Sequence, residues 1–144
     1  MKIISNSFND TLKLGGELAS KLKGGDVVLL AGEMGVGKSV FARGVIKGLG
    51  IEDDVLSPTF TLMNNYNISH DGKLIDVCHI DAYRIKTLDE AYMAGLGDCI
   101  GDSNTICLME WHKNLGNMVD EKKSIVIEIK RTNDDNKREI LFKT

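Results

Sequence analysis

The sequence contains few of the residues that cross-link a small fold or build a metal centre. Among 144 residues there are three cysteines, three histidines, one tryptophan and one proline. The cysteines are odd in number and have no Cys-x-x-Cys spacing, and the histidines form no paired ligand motif. We interpret them as buried thiols and ordinary histidines. A chain of this length can bury a core without disulfides or a structural metal, so one domain spanning residues 1–144 is expected.

Long apolar runs and a strong charge of one sign are also missing. No apolar stretch approaches the roughly 20 residues of a membrane-spanning helix, and residues 1–10 lack the apolar middle region of a secretory signal. A cytoplasmic protein without membrane association is therefore expected. The formal net charge of -3 argues against autonomous nucleic-acid binding, because basic patches bind phosphate backbones.

Hydrophobic periodicity predicts strands that alternate with helices. The apolar run at 27–31 is typical of a strand buried on both faces, and helical spacing follows at 39–49. Further strands are expected at 2–5, 62–68, 74–80, 105–109, 124–130 and 138–142, and further helices at 8–23 and 87–96. This pattern indicates an α/β fold: a mixed, mostly parallel central sheet flanked by helices, with antiparallel C-terminal strands.

Two adjacent glycines lie inside the first predicted helix. Gly15 and Gly16 each weaken a helix by about 1 kcal/mol relative to alanine. Either close packing or a nearby ligand would explain them, and the sequence leaves both explanations open.

The segment from Gly32 to Ser39, GEMGVGKS, matches the P-loop pattern at each fixed position. It directly follows a predicted buried strand and opens a predicted helix. Its glycines allow positive φ, which lets backbone amides approach phosphates, and the helix directs the positive end of its dipole at the same anion. Lys38 is expected to reach the β- and γ-phosphates, and the Ser39 hydroxyl to bind Mg²⁺. We therefore predict a P-loop NTPase-like domain that binds ATP or ADP with Mg²⁺.

Acidic residues end two of the predicted strands. Asp81 follows one apolar run and Glu110 follows another. Ligands of α/β sheets bind at the carboxyl ends of the strands, so both acids are expected to face the nucleotide. One would serve Mg²⁺ and the other would polarise the attacking water, and spacing alone does not assign the two roles. A helix cap or a surface ion pair is the alternative for each.

The segment Ser57-Pro58-Thr59-Phe60 lies between the P-loop helix and the next predicted strand. A phosphate-sensing switch loop would present a hydroxyl at this place, and Thr59 is the candidate. A rigid turn around the single proline is the alternative.

Four motifs in a fixed order carry a resemblance to a known family. They are the P-loop, Ser57-Pro58-Thr59-Phe60-Thr61-Leu62, His79-Ile80-Asp81-Ala82-Tyr83-Arg84 and Glu110-Trp111. The chain closely resembles the TsaE (YjeE) family from about Phe8 to Arg138. These are bacterial ATPases needed to make threonylcarbamoyladenosine (t6A), the modified base beside the anticodon of tRNAs that read codons starting with A.

The resemblance implies roles that spacing left open. It places Asp81 at the magnesium–phosphate site and Glu110 near the metal as a residue needed for hydrolysis, and it matches Thr59 to the switch threonine. The catalytic set is then Glu110, Lys38, Thr59 and Asp81, and the metal set is Ser39, Asp81 and Glu110. The residues expected at the nucleotide are Phe8, Thr11, Glu33, Met34, Gly35, Val36, Gly37, Lys38, Ser39, Val40 and Arg138.

The resemblance also implies partners. Family members work on a complex of TsaD and TsaB, and their ATP hydrolysis resets that complex between turnovers, so this chain would meet tRNA only indirectly. The sequence departs from the family pattern at His112, where proline is frequent, and at Lys137, where glycine usually precedes the late arginine.

Two other functions remain as alternatives. A small P-loop metabolite kinase would carry an arginine-bearing lid and an acceptor-binding aspartate, neither of which is evident. A regulatory module that binds ATP and hardly hydrolyses it would share the P-loop. A GTPase is disfavoured because no Asn-Lys-x-Asp motif is present.

Overall fold

The strands form a single sheet, and the helices pack against it. The structure, a computed structural model, describes residues 1–52 and 62–143. Within these ranges seven strands share one sheet in the order β1-β7-β6-β2-β5-β4-β3. Their bounds are β1 Lys2–Ser5, β2 Val27–Ala31, β3 Met63–His70, β4 Lys73–Asp81, β5 Thr105–Glu110, β6 Ile125–Arg131 and β7 Arg138–Lys143.

The centre of the sheet is parallel and its margins are antiparallel. Strands β6, β2, β5 and β4 pair in parallel with one another. Strand β3 pairs antiparallel with β4, and β7 pairs antiparallel with both β6 and β1. The predicted fold class, including its antiparallel C-terminal strands, is confirmed. The four parallel strands end at one edge of the sheet, which is where ligands bind in α/β folds.

Helices cover both faces of the sheet. Their bounds are α1 Phe8–Ala19, α2 Lys38–Gly48, α3 Leu88–Met93 and α4 Leu96–Cys99, with 3₁₀ segments at His112–Met118 and Glu121–Lys123. Helix α1 begins as predicted at Phe8, after the N-cap residue Ser7, whose Oγ accepts a hydrogen bond from the Asp10 amide at 3.1 Å. It ends four residues before the predicted end at residue 23, because the last turn tightens into i→i+3 bonds, among them Lys21 N to Leu18 O at 2.9 Å.

The helical segments after β4 differ from the prediction in two respects. The helix predicted at 87–96 ends at Met93 and a second short helix begins at Leu96, because Gly95 adopts a left-handed conformation at φ 86° and interrupts the hydrogen-bond ladder. The 3₁₀ segments after β5 have no apolar periodicity, and the sequence therefore did not predict them.

The core lies on both sides of the central strands, whose side chains alternate between the two faces. One layer packs under α1 and α2 and includes Val28, Leu30, Phe41, Val45 and Leu108. The other packs under α3, α4 and the first 3₁₀ segment and includes Leu29, Ile80, Leu96, Met109 and Leu115. Every residue of β5 is buried, so the chain direction after β5 is rigidly set.

Glycines allow α1 and α2 to approach closely. A Cβ atom on Gly15 would fall on the Phe41 carbonyl oxygen and lie 2.9 Å from the Val45 amide nitrogen, and one on Gly44 would fall on the Leu12 carbonyl. Backbone atoms cannot give way as a flexible side chain can. Close helix packing, one of the two explanations left open by the sequence, accounts for Gly15.

Substituting these glycines tests the packing. Gly15→Ala is expected to lower the free energy of unfolding by about 1–3 kcal/mol, as overpacked core substitutions do. Gly16→Ala is the matched control, because its Cβ would lie an ordinary 3.6 Å from the Gly44 carbonyl oxygen. The control is expected to be neutral or to gain up to about 1 kcal/mol from helix propensity. Urea unfolding measures both variants, and equal stability of the two would contradict this account of the helix contact.

None of the helices in residues 1–52 and 62–143 has both the length and the apolar character required to cross a bilayer.

Candidate functional site

Three strands end side by side where the predicted site residues lie. Leu30 on β2 is the register partner of Glu110 on β5, which in turn is the partner of Asp81 on β4. By strand alternation, Asp81 and Glu110 share the face of Leu30, which packs under α2. The glycine-rich loop 32–37 leaves β2 at the same edge. The structure thus brings both predicted acids beside the loop.

The loop backbone has the conformation for which its glycines are required. Gly32, Gly35 and Gly37 have φ values of 147°, 75° and 119°, in a region that residues with a side chain rarely adopt. At Gly32 a Cβ would also lie 2.5 Å from the Ile129 carbonyl oxygen. Gly37 is the N-cap of α2 and has no side chain to accept hydrogen bonds from the first amides. Those donors are therefore available to an anion.

Lys38 is buried in the mouth of the loop. Its side chain donates a hydrogen bond from Nζ to the Gly32 carbonyl at 2.7 Å, and Nζ lies 3.5 Å from the centroid of the Trp111 ring. Burial lowers the pKa of Lys38, while the nearby charges of Glu110 and Asp81 act to raise it. The site therefore holds a largely desolvated cation next to two carboxylates.

Trp111 adopts a backbone conformation that is rare for an aromatic residue. Its φ and ψ are 61° and 37°, in the left-handed region, which costs on the order of 1–3 kcal/mol for a non-glycine residue. Its ring packs at 5.0 Å from the ring of Tyr83 and covers the Lys38 ammonium. The strained turn directly after Glu110 thus places an aromatic face on the loop lysine, a contact of the cation–π type.

The Glu110 side chain contacts one residue on β4 and one at the start of α2. Glu110 is 3% exposed. Its Oε2 lies 3.1 Å from His79 Nε2, and its Oε1 lies 3.5 Å from the Ser39 hydroxyl. His79 is part of the third of the four motifs, and no role was predicted for it. Strand alternation offered a signal, because His79 is two residues before Asp81 on β4 and shares its face.

Asp81 has a structural contact of its own. It is 8% exposed, and its Oδ1 accepts a hydrogen bond from the Tyr83 amide at 3.0 Å. This bond holds the turn that follows β4, and it caps no helix, because the next helix begins at Leu88.

Oxygen ligands for a hard cation meet at this edge. Ser39 and Glu110 present oxygens to each other, and Asp81 is the strand neighbour of Glu110. No cluster of three or more His, Cys, Asp or Glu side chains suited to a metal occurs in the described parts of the chain. Mg²⁺ fits this donor set, because it typically binds one or two carboxylates and completes its shell with waters and substrate phosphates.

Two arginines hold the outer side of the loop. Arg138 donates from Nε to the Val36 carbonyl at 2.8 Å, and Arg131 donates from Nη2 to the Met34 carbonyl at 3.0 Å. The two are register partners on β7 and β6. Arg138 was predicted at the nucleotide and here contacts the loop backbone. Arg131 was missed, because its position opposite Arg138 depends on the register of a hairpin that the sequence does not reveal.

The other predicted residues are distributed around the loop. Thr11 is buried, with its hydroxyl 2.6 Å from that of Ser5, whereas Phe8 at the start of α1 is 56% exposed. Glu33 and Met34 are exposed, and Val36 is buried. Gly35, Gly37 and Val40 lie in the loop and the first turn of α2. Thr59 and its segment lie outside the described residues.

A cavity adjoins the loop on the side of β6. Its volume is about 840 Å³, and its lining includes Gly32, Met34, Lys38, Trp111 and Arg131. This volume lies in the range of small-molecule sites. The cavity therefore offers room for a ligand in contact with the loop lysine.

Comparison with known proteins identifies relatives over nearly the whole chain. The family model described as "Threonylcarbamoyl adenosine biosynthesis protein TsaE" matches residues 5–140. A protein of Aquifex aeolicus named tRNA threonylcarbamoyladenosine biosynthesis protein TsaE is 37% identical over 141 residues, covering 96% of this chain and 92% of the relative. The Bacillus subtilis protein of the same name is 39% identical over 124 residues, covering 86% and 73%.

A solved structure shows the same architecture. The crystal structure of Bacillus subtilis YdiB matches with a TM-score of 0.73 and 32% identity, covering 99% of this chain and 83% of that one. The sequence matches and the structural match agree with the resemblance carried by the four motifs. The chain therefore belongs to the TsaE family of threonylcarbamoyladenosine biosynthesis proteins.

Proposed function

We propose that this chain binds ATP with Mg²⁺ in the loop 32–39 and hydrolyses it to ADP and phosphate in the service of t6A synthesis. The observation that carries the proposal is the position of Glu110, between the Ser39 hydroxyl and His79 and one strand away from the loop. A carboxylate buried at this place can act on a cation or water at a bound phosphate, whereas packing of the core does not require a carboxylate here.

The loop supplies the phosphate site. Amides of the loop and of the uncapped start of α2 donate to the phosphate oxygens, and the Lys38 ammonium turns from the Gly32 carbonyl to the same anion. Arg131 and Arg138 hold the Met34 and Val36 carbonyls, which keeps the loop open for the ligand. The remaining contacts with the nucleotide come from Phe8, Thr11, Glu33, Gly35, Gly37 and Val40.

The metal site uses oxygen ligands of three elements. Ser39 at the start of α2, Glu110 at the end of β5 and Asp81 at the end of β4 would hold Mg²⁺ directly or through water. When bound, Mg²⁺ neutralises charge on the phosphate oxygens.

Hydrolysis requires an oriented water. Glu110 orients the attacking water and holds its proton, Lys38 stabilises charge that develops on the phosphate oxygens, and Asp81 supports the magnesium–phosphate site. The family resemblance adds Thr59 to these catalytic residues. Trp111 covers Lys38 and keeps bulk water from the ammonium, which strengthens its electrostatic effect.

Membership of the family supports a proposal about the cellular setting. We propose that the chain acts in the cytoplasm on a complex of TsaD and TsaB and resets that complex between turnovers. It meets tRNA through this complex, in keeping with its net charge of -3.

An assay of phosphate release tests the proposal. The purified chain is incubated with ATP and Mg²⁺, alone and with TsaB–TsaD complex, and inorganic phosphate is measured. We expect slow release alone and clear stimulation by the complex. The complex without the chain is the control.

Two outcomes would contradict the proposal. No release above the control, although ATP binds, would indicate a regulatory ATP-binding module. Transfer of the γ-phosphate to an added metabolite would indicate a kinase.

A further inference from the structure

His79 is a buried histidine with one unusual feature. It is 1% exposed, its Nε2 lies 3.1 Å from Glu110 Oε2, and its Nδ1 has no hydrogen-bond partner among the described residues. The hydrogen bond that the ring makes with the described residues is therefore the one to Glu110.

The contact with Glu110 restricts what the carboxylate can do. A carboxylate only accepts hydrogen bonds, so the hydrogen of this contact is on Nε2. One lone pair of Glu110 Oε2 is thereby engaged on the β4 side. The other oxygen, Oε1, is left facing the Ser39 hydroxyl at 3.5 Å. His79 thus selects both the rotamer of Glu110 and the oxygen that it presents to the site.

We propose that His79 is a positioning residue that holds Glu110 so that a single oxygen addresses the cation and the attacking water. The inference rests on the proposed function of Glu110. Hydrogen-bonded neighbours of metal ligands commonly act in this way, and their loss costs about 10- to 100-fold in metal affinity or activity.

The other histidines make different contacts. His70 Nε2 bonds to the Leu22 carbonyl at 2.7 Å, a link between a strand and the end of α1 that is remote from the loop. His112 Nε2 bonds to the exposed Glu121 at 2.7 Å. Among the described residues, only His79 places its imidazole on an acid at the carboxyl edge beside the loop.

The test compares His79→Leu with His79→Gln. The side-chain amide introduced by His79→Gln would be able to donate to Glu110 as Nε2 does, whereas leucine would fill the space without donating. The first measurement is the affinity for ADP, determined by calorimetry at a series of Mg²⁺ concentrations. We expect His79→Leu to raise, about 10-fold or more, the Mg²⁺ concentration that gives half of the magnesium effect on ADP affinity. ADP binding without Mg²⁺ is expected to be unchanged. His79→Gln is expected to recover much of the loss.

The second measurement separates kcat from KM in the stimulated ATPase assay. We expect kcat of His79→Leu to fall about 10- to 100-fold with little change in KM, and His70→Leu, the matched control, to keep wild-type values of both. Thermal unfolding of each variant tests whether the fold is retained. If His79→Leu fails to fold, the comparison of His79→Gln with His79→Asn tests the positioning role in its place. Asparagine mimics the position of Nδ1, so it is expected to resemble leucine.

The outcomes distinguish two failures. If the wild-type chain shows no Mg²⁺-dependent ADP binding, the proposed function fails and the positioning role falls with it. Suppose instead that the wild type shows this dependence. If folded His79→Leu, or His79→Asn in its place, then has the wild-type kcat and needs the same Mg²⁺ concentration for ADP binding, only the positioning role is overturned. A His79→Gln variant as defective as His79→Leu would also overturn it.

Discussion

Lys38→Ala is expected to weaken ATP and ADP binding by about 100-fold or more while the chain remains folded. Charge-assisted hydrogen bonds contribute about 1.5–3 kcal/mol each, and the loss of about 3 kcal/mol corresponds to roughly 100-fold in affinity. The ammonium is already desolvated between the Gly32 carbonyl and the Trp111 ring, so little further desolvation opposes its contact with phosphate. Folding is expected to tolerate the change, because burial makes this lysine costly to keep charged.

The measurement is calorimetric titration with ADP, repeated with adenosine. Adenosine has no phosphate, so its weak binding is expected to be the same in the variant and the wild type. Lys47→Ala is the matched control, since Lys47 lies in the last turn of the same helix, at the end opposite the loop. Wild-type ADP affinity in Lys38→Ala would show that the phosphates bind elsewhere.

Glu110→Ala is expected to lower the stimulated rate of ATP hydrolysis by about a hundred- to ten-thousand-fold, the usual effect of removing one positioned catalytic group. At saturating Mg²⁺, ADP binding is expected to remain nearly intact, because the loop amides and Lys38 carry most of that affinity. Glu110→Gln keeps the side-chain size and is expected to lose the rate similarly, which attributes the loss to the charge and excludes a cavity as its cause. Phosphate release with the TsaB–TsaD complex measures both variants.

The chain offers a control for this variant in its second histidine–glutamate pair. Glu121 contacts His112 at 2.7 Å on the surface, and the bond to His112 holds its pKa below the usual value. Glu121→Gln is expected to leave turnover unchanged. Normal turnover by Glu110→Ala would contradict the catalytic role of Glu110, whatever the other variants show.

Much of the site could be predicted because it depends on short-range patterns. The glycines and Lys38 act within one loop, and an acid at the end of an apolar run is visible in sequence at both Asp81 and Glu110. The sequence did not show which strands are neighbours in the sheet. Whether β5 or β4 lies beside the P-loop strand depends on the strand order, which only the packed sheet reveals.

Other features depend on contacts between distant segments. The Trp111 ring contacts Lys38 and Tyr83, and no local pattern in the sequence indicates the left-handed backbone conformation that places it there. Arg131 reaches the loop only because the β6–β7 hairpin places it opposite Arg138. The helix boundary at Gly95 has a local cause instead, since a single glycine with positive φ interrupts the range that was predicted as one continuous helix.

A crystal structure of the chain with ADP and Mg²⁺ tests the central claim most directly. We predict the β-phosphate inside the loop 32–39, with Lys38 Nζ within hydrogen-bond distance of its oxygens and with Ser39 Oγ at the cation. Nucleotide density at another place, with the loop empty and Lys38 Nζ still on the Gly32 carbonyl, would contradict the account.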